Sequence, residues 1–212
     1  MISFDRLPKN TLPRKVNTST LKILHGIPNG PNIDLYLNGS LMVSNLSFSS
    51  ISKYLDVPAG KYTVEIYETG SQDNLVLRKD LSLNPAKNYT FSAVLLDDAP
   101  YLFKLTDGVP NYNPLSSYIR FINLSSNSPL LTMKLPNDSI LFEEVEYLET
   151  TSYYETSPGI YNLKVEFSDA SAISKTIKDI NMIGGKLYTI YILGLFNSTP
   201  PLGYLWVEDK DS

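Results

Sequence analysis

At 212 residues the chain exceeds one ordinary domain and fits two units, each able to bury a core. Its 42% hydrophobic and 19% charged content is that of a globular protein, and the abundance of Tyr, Leu, Ile, Thr and Ser favours strands over helices. A net charge of −4 gives no global pull toward nucleic acid, and the lack of cysteine excludes disulfides, Cys-ligated zinc and a thiol nucleophile.

Residues 1–19 read as an extended leader. Arg6, Lys9, Arg14 and Lys15 accompany Pro8 and Pro13, with no apolar run of the kind a secretory signal needs. No Sec-type export is expected from the sequence as it stands, which points to a cytoplasmic protein or one assembled onto a surface layer from the cytoplasmic side. Periodic apolar residues begin at Leu21. Candidate strands then follow at 20–25, 32–37, 40–48, 52–57, 61–68, 75–83, 88–96 and 101–106. Turn chemistry separates them at Pro28-Asn29-Gly30-Pro31, Asn38-Gly39, Pro58-Ala59-Gly60, Gly70-Ser71, Asn84-Pro85 and Asp97-Asp98. Of these, Asn38-Gly39 is the best hairpin signal. Alternation is clear in 61–68, where Tyr62, Val64 and Ile66 oppose Lys61, Thr63 and Glu65. It recurs in 88–96, where Asn88, Thr90 and Ser92 are expected on the wet face. Short strands without helical periods between them argue for antiparallel sandwiches rather than βαβ units.

The second half repeats this order at an offset of about 98 to 99 residues. Leu21-Lys22-Ile23-Leu24 corresponds to Ile119-Arg120-Phe121-Ile122, Pro31 to Pro129 and Tyr54 to Tyr153. Pro58-Ala59-Gly60-Lys61-Tyr62 corresponds to Ser157-Pro158-Gly159-Ile160-Tyr161, and Lys87-Asn88-Tyr89-Thr90 to Lys186-Leu187-Tyr188-Thr189. Between the copies, 107–117 carries Gly108, Pro110, Asn111, Asn113 and Pro114, the composition of a short, stiff linker. The expected layout is therefore a leader at 1–19, one sandwich at 20–109, a linker at 110–116 and a second sandwich at 117–212. In each copy the Gly-X-Tyr element reads as a tight turn into a core strand, its tyrosine hydroxyl bonded near the sandwich rim. The longest apolar candidate for a membrane span, 187–196, is short and broken by Thr189 and Gly194, so none is expected.

The run from Leu24 to Gly39, with its His-Gly-Ile-Pro-Asn-Gly-Pro loop and Ile33-Asp34-Leu35-Tyr36-Leu37-Asn38-Gly39, resembles the signature of the bacterial domain of unknown function 4397 family. Leu46-Ser47-Phe48, Tyr54-Leu55 and Pro58-Ala59-Gly60-Lys61-Tyr62-Thr63-Val64 are similar to the same pattern, and the likeness covers about residues 20–107. The second copy is degenerate, with Thr132 in place of Asp34 and Pro136-Asn137-Asp138 in place of the Asn-Gly turn. The resemblance implies an immunoglobulin-like or transthyretin-like sandwich, common in tandem in surface or exported bacterial proteins. It implies no catalytic residue. Members of that family usually carry an export signal, from which this leader departs.

Among residues able to do chemistry, His25 is the lone histidine, and its counterpart is Asn123; with no partner at nucleophile spacing it reads as structural. Glu143, Glu144, Glu146 and Glu149 read as a solvated face rather than a metal site, since no calcium-loop spacing is present. Asp34 is the most interesting polar residue. It suits bonds to backbone donors of the neighbouring loops, or contact with a ligand. Tyrosines crowd the second copy, and adjacent Tyr153 and Tyr154 point to opposite faces, which leaves one of them exposed for a partner. Asp34, Tyr153 and Tyr154 are thus the candidate contacts. No catalysis and no cofactor is expected. The expected function is a structural or interaction module of a bacterial envelope or spore layer, with an envelope or spore-layer protein as partner. The alternative is a carbohydrate-binding module that stacks glycans on exposed tyrosines.

Overall fold

The computed structural model describes residues 17–168 and 174–211, so the expected leader lies outside the described residues as far as residue 16, while Thr18 and Ser19 enter the first strand. The described residues are nearly all β, and their strands form four sheets. The first copy contributes β1 (Thr18–His25), β2 (Ile33–Leu37), β3 (Ser40–Leu46), β4 (Ser50–Ile51), β5 (Leu55–Pro58), β6 (Gly60–Glu68), β7 (Leu75–Leu83), β8 (Asn88–Leu96) and β9 (Ala99–Asp107). The second contributes β10 (Ser117–Asn123), β11 (Leu131–Lys134), β12 (Ile140–Val145), β13 (Tyr154–Thr156), β14 (Gly159–Phe167), β15 (Ser174–Met182), β16 (Lys186–Leu193) and β17 (Gly203–Asp209).

In each copy an outer sheet packs on an inner one. The first has β3-β2-β6-β7 outside and β4-β1-β8-β9 inside, with β5 also paired to β1. The second has β12-β11-β14-β15 outside and β13-β10-β16-β17 inside. Pairing is antiparallel except at β1·β8 and β10·β16, the parallel centre of each inner sheet. Hydrophobic alternation produces each sandwich core. Ile23, Tyr89 and Phe91 meet Leu35, Val64 and Ile66 in the first copy, and Phe121 and Ile190 meet Met133, Val165 and Ile177 in the second. Each such side chain contributes about 1.5–3 kcal/mol on burial.

The two inner sheets then pack on each other. Leu24, Val94 and Leu105 of the first copy form one apolar cluster with Ile122, Leu124, Tyr191 and Leu193 of the second. The molecule is therefore four layers deep. This corrects the reading of 88–96 as a strand with one wet face: Asn88, Thr90 and Ser92 are buried, because a second copy covers the face that alternation alone assigns to solvent. Sheets buried on both faces are where parallel pairs are expected, and β1, β8, β10 and β16 fit that rule.

Local signals carried through. Asn38 and Gly39, at φ 48° and 77°, close a two-residue hairpin between β2 and β3, as the primed turn requires. The Gly-X-Tyr tyrosines bond the rim in both copies, Tyr62 to the Pro58 carbonyl and Tyr161 to the Ser157 carbonyl, each at 2.7 Å. The candidate strand at 52–57 forms only from residue 55, as β5; β4 lies before it, and residues 52–54 make a break between the two. At the break the Ser52 hydroxyl, not a backbone carbonyl, accepts the Ile23 amide at 3.0 Å; Thr151 does the same for Phe121 at 2.9 Å. That break releases the chain just before β5 and β13, where Tyr54 and Tyr153 sit.

Candidate functional site

The densest polar chemistry in the molecule lies between the two inner sheets. Lys22 on β1 reaches across to Asp209 on β17, Nζ to Oδ1 at 2.6 Å, and Arg120 on β10 reaches back to Asp107 on β9, Nη2 to Oδ1 at 2.6 Å. All four side chains are at most 3% exposed, so these are pairs without solvent screening. Arg120 also lies 3.6 Å from Asp209, which links the two pairs into one charge-balanced cluster.

Each carboxylate has the same supporting set. Asp107 accepts from the Thr90 and Tyr54 hydroxyls, both at 2.7 Å. Asp209 accepts from Thr189 and, at 2.7 Å, from Tyr153. The cations sit over the same tyrosines, Lys22 at 4.5 Å from the Tyr54 ring and Arg120 at 4.5 Å from the Tyr153 ring. Arg120 further donates to the Thr189 hydroxyl at 3.0 Å and to the Thr106 carbonyl at 3.3 Å; Lys22 donates to the Glu208 carbonyl at 3.3 Å. Lys22 corresponds to Arg120, Tyr54 to Tyr153 and Thr90 to Thr189. Asp107 and Asp209 occupy equivalent ladder positions, opposite Asn88 and Leu187. The seam is thus approximately two-fold symmetric, each copy lending its cation to the carboxylate of the other.

Burial and the two carboxylates push the Tyr54 and Tyr153 phenols well above the usual tyrosine range, so both remain hydroxyl donors. Burial together with the charge of Asp209 raises Asp107, against the pull of Arg120 and Lys22. Burial works against the Arg120 charge, but the surrounding tyrosines and carboxylates more than hold it in place. The seam's chemistry is therefore spent on holding the two copies together. Further ties lie at its margins. Asn29 donates to the Thr199 carbonyl at 2.9 Å, Asn88 to the Asp211 carbonyl at 2.7 Å, and Tyr147 to the Leu95 carbonyl, burial pushing that phenol up to about 12.

The residues singled out from sequence fall in different places. Asp34 is buried, and its acceptors are taken by the Asn45 amide at 2.7 Å, the Thr69 hydroxyl at 2.8 Å and the Gly70 amide at 3.3 Å. Burial tends to raise its pKa, but these donors outweigh it and hold the carboxyl below the usual range. Asn45 has φ 55° at a bulge in β3. Glu144 has φ 51° at the equivalent bulge in β12, where the Thr132 hydroxyl takes its amide at 3.1 Å. Asp34 and Thr132 thus hold one bulge in two ways.

His25 and Asn123 are likewise equivalent. His25 Nδ1 accepts the Ile27 amide at 3.3 Å while its Nε2 lies 2.8 Å from the Pro31 carbonyl; Asn123 accepts the Ser125 amide at 3.0 Å and donates to the Val145 carbonyl at 3.3 Å. Tyr153 turns inward to Asp209, whereas Tyr154 is 48% exposed and lies edge-on to Phe142. Glu143, Glu144 and Glu146 are exposed, and among the described residues no group of His, Cys, Asp or Glu is placed to hold a metal ion.

Sequence reasoning did not single out Lys22, Thr90, Asp107, Arg120, Thr189 or Asp209. The signal was available in part, since four of the six stand in aligned repeat segments with their residue class kept. The carboxylate pair was hidden because the loop between β16 and β17 is longer than the Asp97-Asp98 turn, which shifts Asp209 out of the common offset.

No curated protein matches this chain. The profile of the family described as Domain of unknown function (DUF4397) matches residues 19–134 and again 117–212, two overlapping segments that between them take in both copies. The chain belongs to that family, DUF4397, and carries it as a tandem pair.

Proposed function

We propose that the chain is a non-catalytic structural or interaction module of a bacterial envelope or spore layer. The observation that carries this reading is the seam: the buried cations, carboxylates and tyrosines are committed to one another and fix two sandwiches as a single four-layer block. Such a block presents loops and sheet edges at fixed separation, as a repeating layer requires. A fluorescent fusion followed through growth and sporulation tests it. Concentration at the envelope or the developing spore is expected, and uniform cytosolic fluorescence at every stage would overturn the reading.

A glycan-binding role is the second reading, favoured by the exposure of Tyr112, Tyr154 and Tyr204 at 42%, 48% and 45%. Tyr204 also borders an apolar cleft of about 280 Å³ lined by Phe167 and Leu202. Aromatic stacking on sugars would use such rings. Glycan-array binding that disappears in Tyr112→Ala, Tyr154→Ala and Tyr204→Ala variants would favour it, and retained binding in all three would remove it.

A further inference from the structure

The polar half of the seam is symmetric, but the apolar half is not. Gly26, Ser92 and Val94 of the first copy correspond to Leu124, Tyr191 and Leu193 of the second. The correspondence is fixed by matching backbone bonds, Gly26 to the Ala93 carbonyl and Leu124 to the Ile192 carbonyl, each at 2.8 Å. At every one of these positions the first copy is smaller. All six residues are buried, and Tyr191 is wholly so. The space is taken from both sides: a Cβ on Gly26 would stand 3.1 Å from Val94 Cγ1 and 3.2 Å from the Ala93 carbonyl oxygen of its own copy, and 3.3 Å from Leu193 Cδ2 of the second.

We propose that this face is a recognition surface in its own right. Its partner is a domain of the same fold, and the pairing is heterotypic, with the hollow face of a first copy taking the bulky face of a second. The charges make any two faces compatible, since each offers one cation and one carboxylate to the other. Volume decides which pair forms. Two second-copy faces would have to place two Tyr191, two Leu124 and two Leu193 side chains in one layer, which overpacks it. Two first-copy faces would leave a void where those side chains now stand. One shape excludes both like pairs, which is how specificity is built against wrong partners.

The test uses the full chain with a protease recognition sequence placed in the 108–116 linker. After cleavage the two halves are expected to remain a single 1:1 particle near the 23.8 kDa of the intact chain, read by light scattering and native mass spectrometry. Separation of the halves, or re-sorting into like pairs, would overturn the proposal. Ser92→Tyr in the same cut chain is expected to release the halves with their strand circular dichroism intact; halves that stay paired count against the role given to volume. Lys22→Asp is expected to weaken pairing of the cut halves at least about tenfold, and adding Asp209→Asn, which relieves the facing carboxylates without setting a second cation against Arg120, to restore part of it. No loss on the first change, or no recovery on the second, would show that the faces do not recognise each other through these charges.

Discussion

Lys22, Tyr54, Thr90 and Asp107 of the first copy have like counterparts in Arg120, Tyr153, Thr189 and Asp209, and all eight meet between the sheets. At two exposed positions the opposite holds. Exposed Lys61 and Asn84 stand where the second copy carries Ile160 and Ile183, which are 72% and 52% exposed. The charged residues must satisfy both copies at once, so altering Lys22, Asp107, Arg120 or Asp209 in one copy strands a charge in the other. An exposed side chain answers mainly to water. Within this cluster the agreement between copies follows the shared contact, whereas at the apolar seam positions Gly26, Ser92 and Val94 differ from Leu124, Tyr191 and Leu193.

The sharpest way to break this comparison is to remove one carboxylate. Asp209→Ala leaves Lys22 buried and unpaired and is expected to cost about 3–5 kcal/mol, with Asp107→Ala close to it, by denaturant unfolding. A large difference between the two would show that the seam is symmetric in shape but not in energy. The paired change Lys22→Met with Asp209→Leu is expected to cost much less than either single loss, because no charge is then stranded.

The bulge in the outer sheets sharpens the comparison at a smaller scale. Asp34→Ala frees three donors and is expected to cost about 2 kcal/mol; Thr132→Ala frees one and is expected to cost about 0.5–1 kcal/mol. Equal costs would mean that the two residues do not hold the bulge as their bonds imply. Glu144→Asn, which gives the second bulge the residue already present at Asn45, is expected to stabilise by about 0.5–1 kcal/mol, since asparagine tolerates positive φ better.

His25 and Asn123 differ in titration though not in task. Burial lowers the His25 pKa below its ordinary 6.5, outweighing the Pro31 carbonyl, so the folded state favours neutral imidazole. That contribution is fully present above pH 6.5 and is lost as the pH falls below it, where the unfolded chain takes up the proton first. Unfolding free energies of the native chain and His25→Asn, compared between pH 7.5 and 5, are expected to show the native chain losing stability relative to the variant on acidification. A flat difference would place the histidine in a solvated setting. The smallest effect expected is at exposed Ile160, where Ile160→Lys should change stability by less than about 0.5 kcal/mol.

Much of the fold was legible because strand and turn signals are local. The alternation of Tyr62, Val64 and Ile66, the Asn38-Gly39 hairpin and the strands at 75–83 and 88–96 needed no knowledge of distant residues. Asp34 was legible as a special position but not in its task, because its donors at Thr69 and Gly70 arrive from the far end of β6. Tyr153 and Tyr154 differ in setting: the break before β13 turns Tyr153 toward the seam while Tyr154 stays on the surface, and a two-residue period carries no information about that break.

By itself the sequence determined the β class, the duplication and the turns, because each depends on spacings within a few residues or on one copy matching the other. Tertiary structure alone decided which polar faces are dry. Thr90 and Ser92 alternate like solvent-facing residues, yet both are buried, as are Lys22 and Asp107. A charge or hydroxyl is equally at home in water or against a complementary partner, so its residue type does not say which. Only when the second copy closes over the first does Lys22 meet Asp209, and do these side chains become the interior of the molecule.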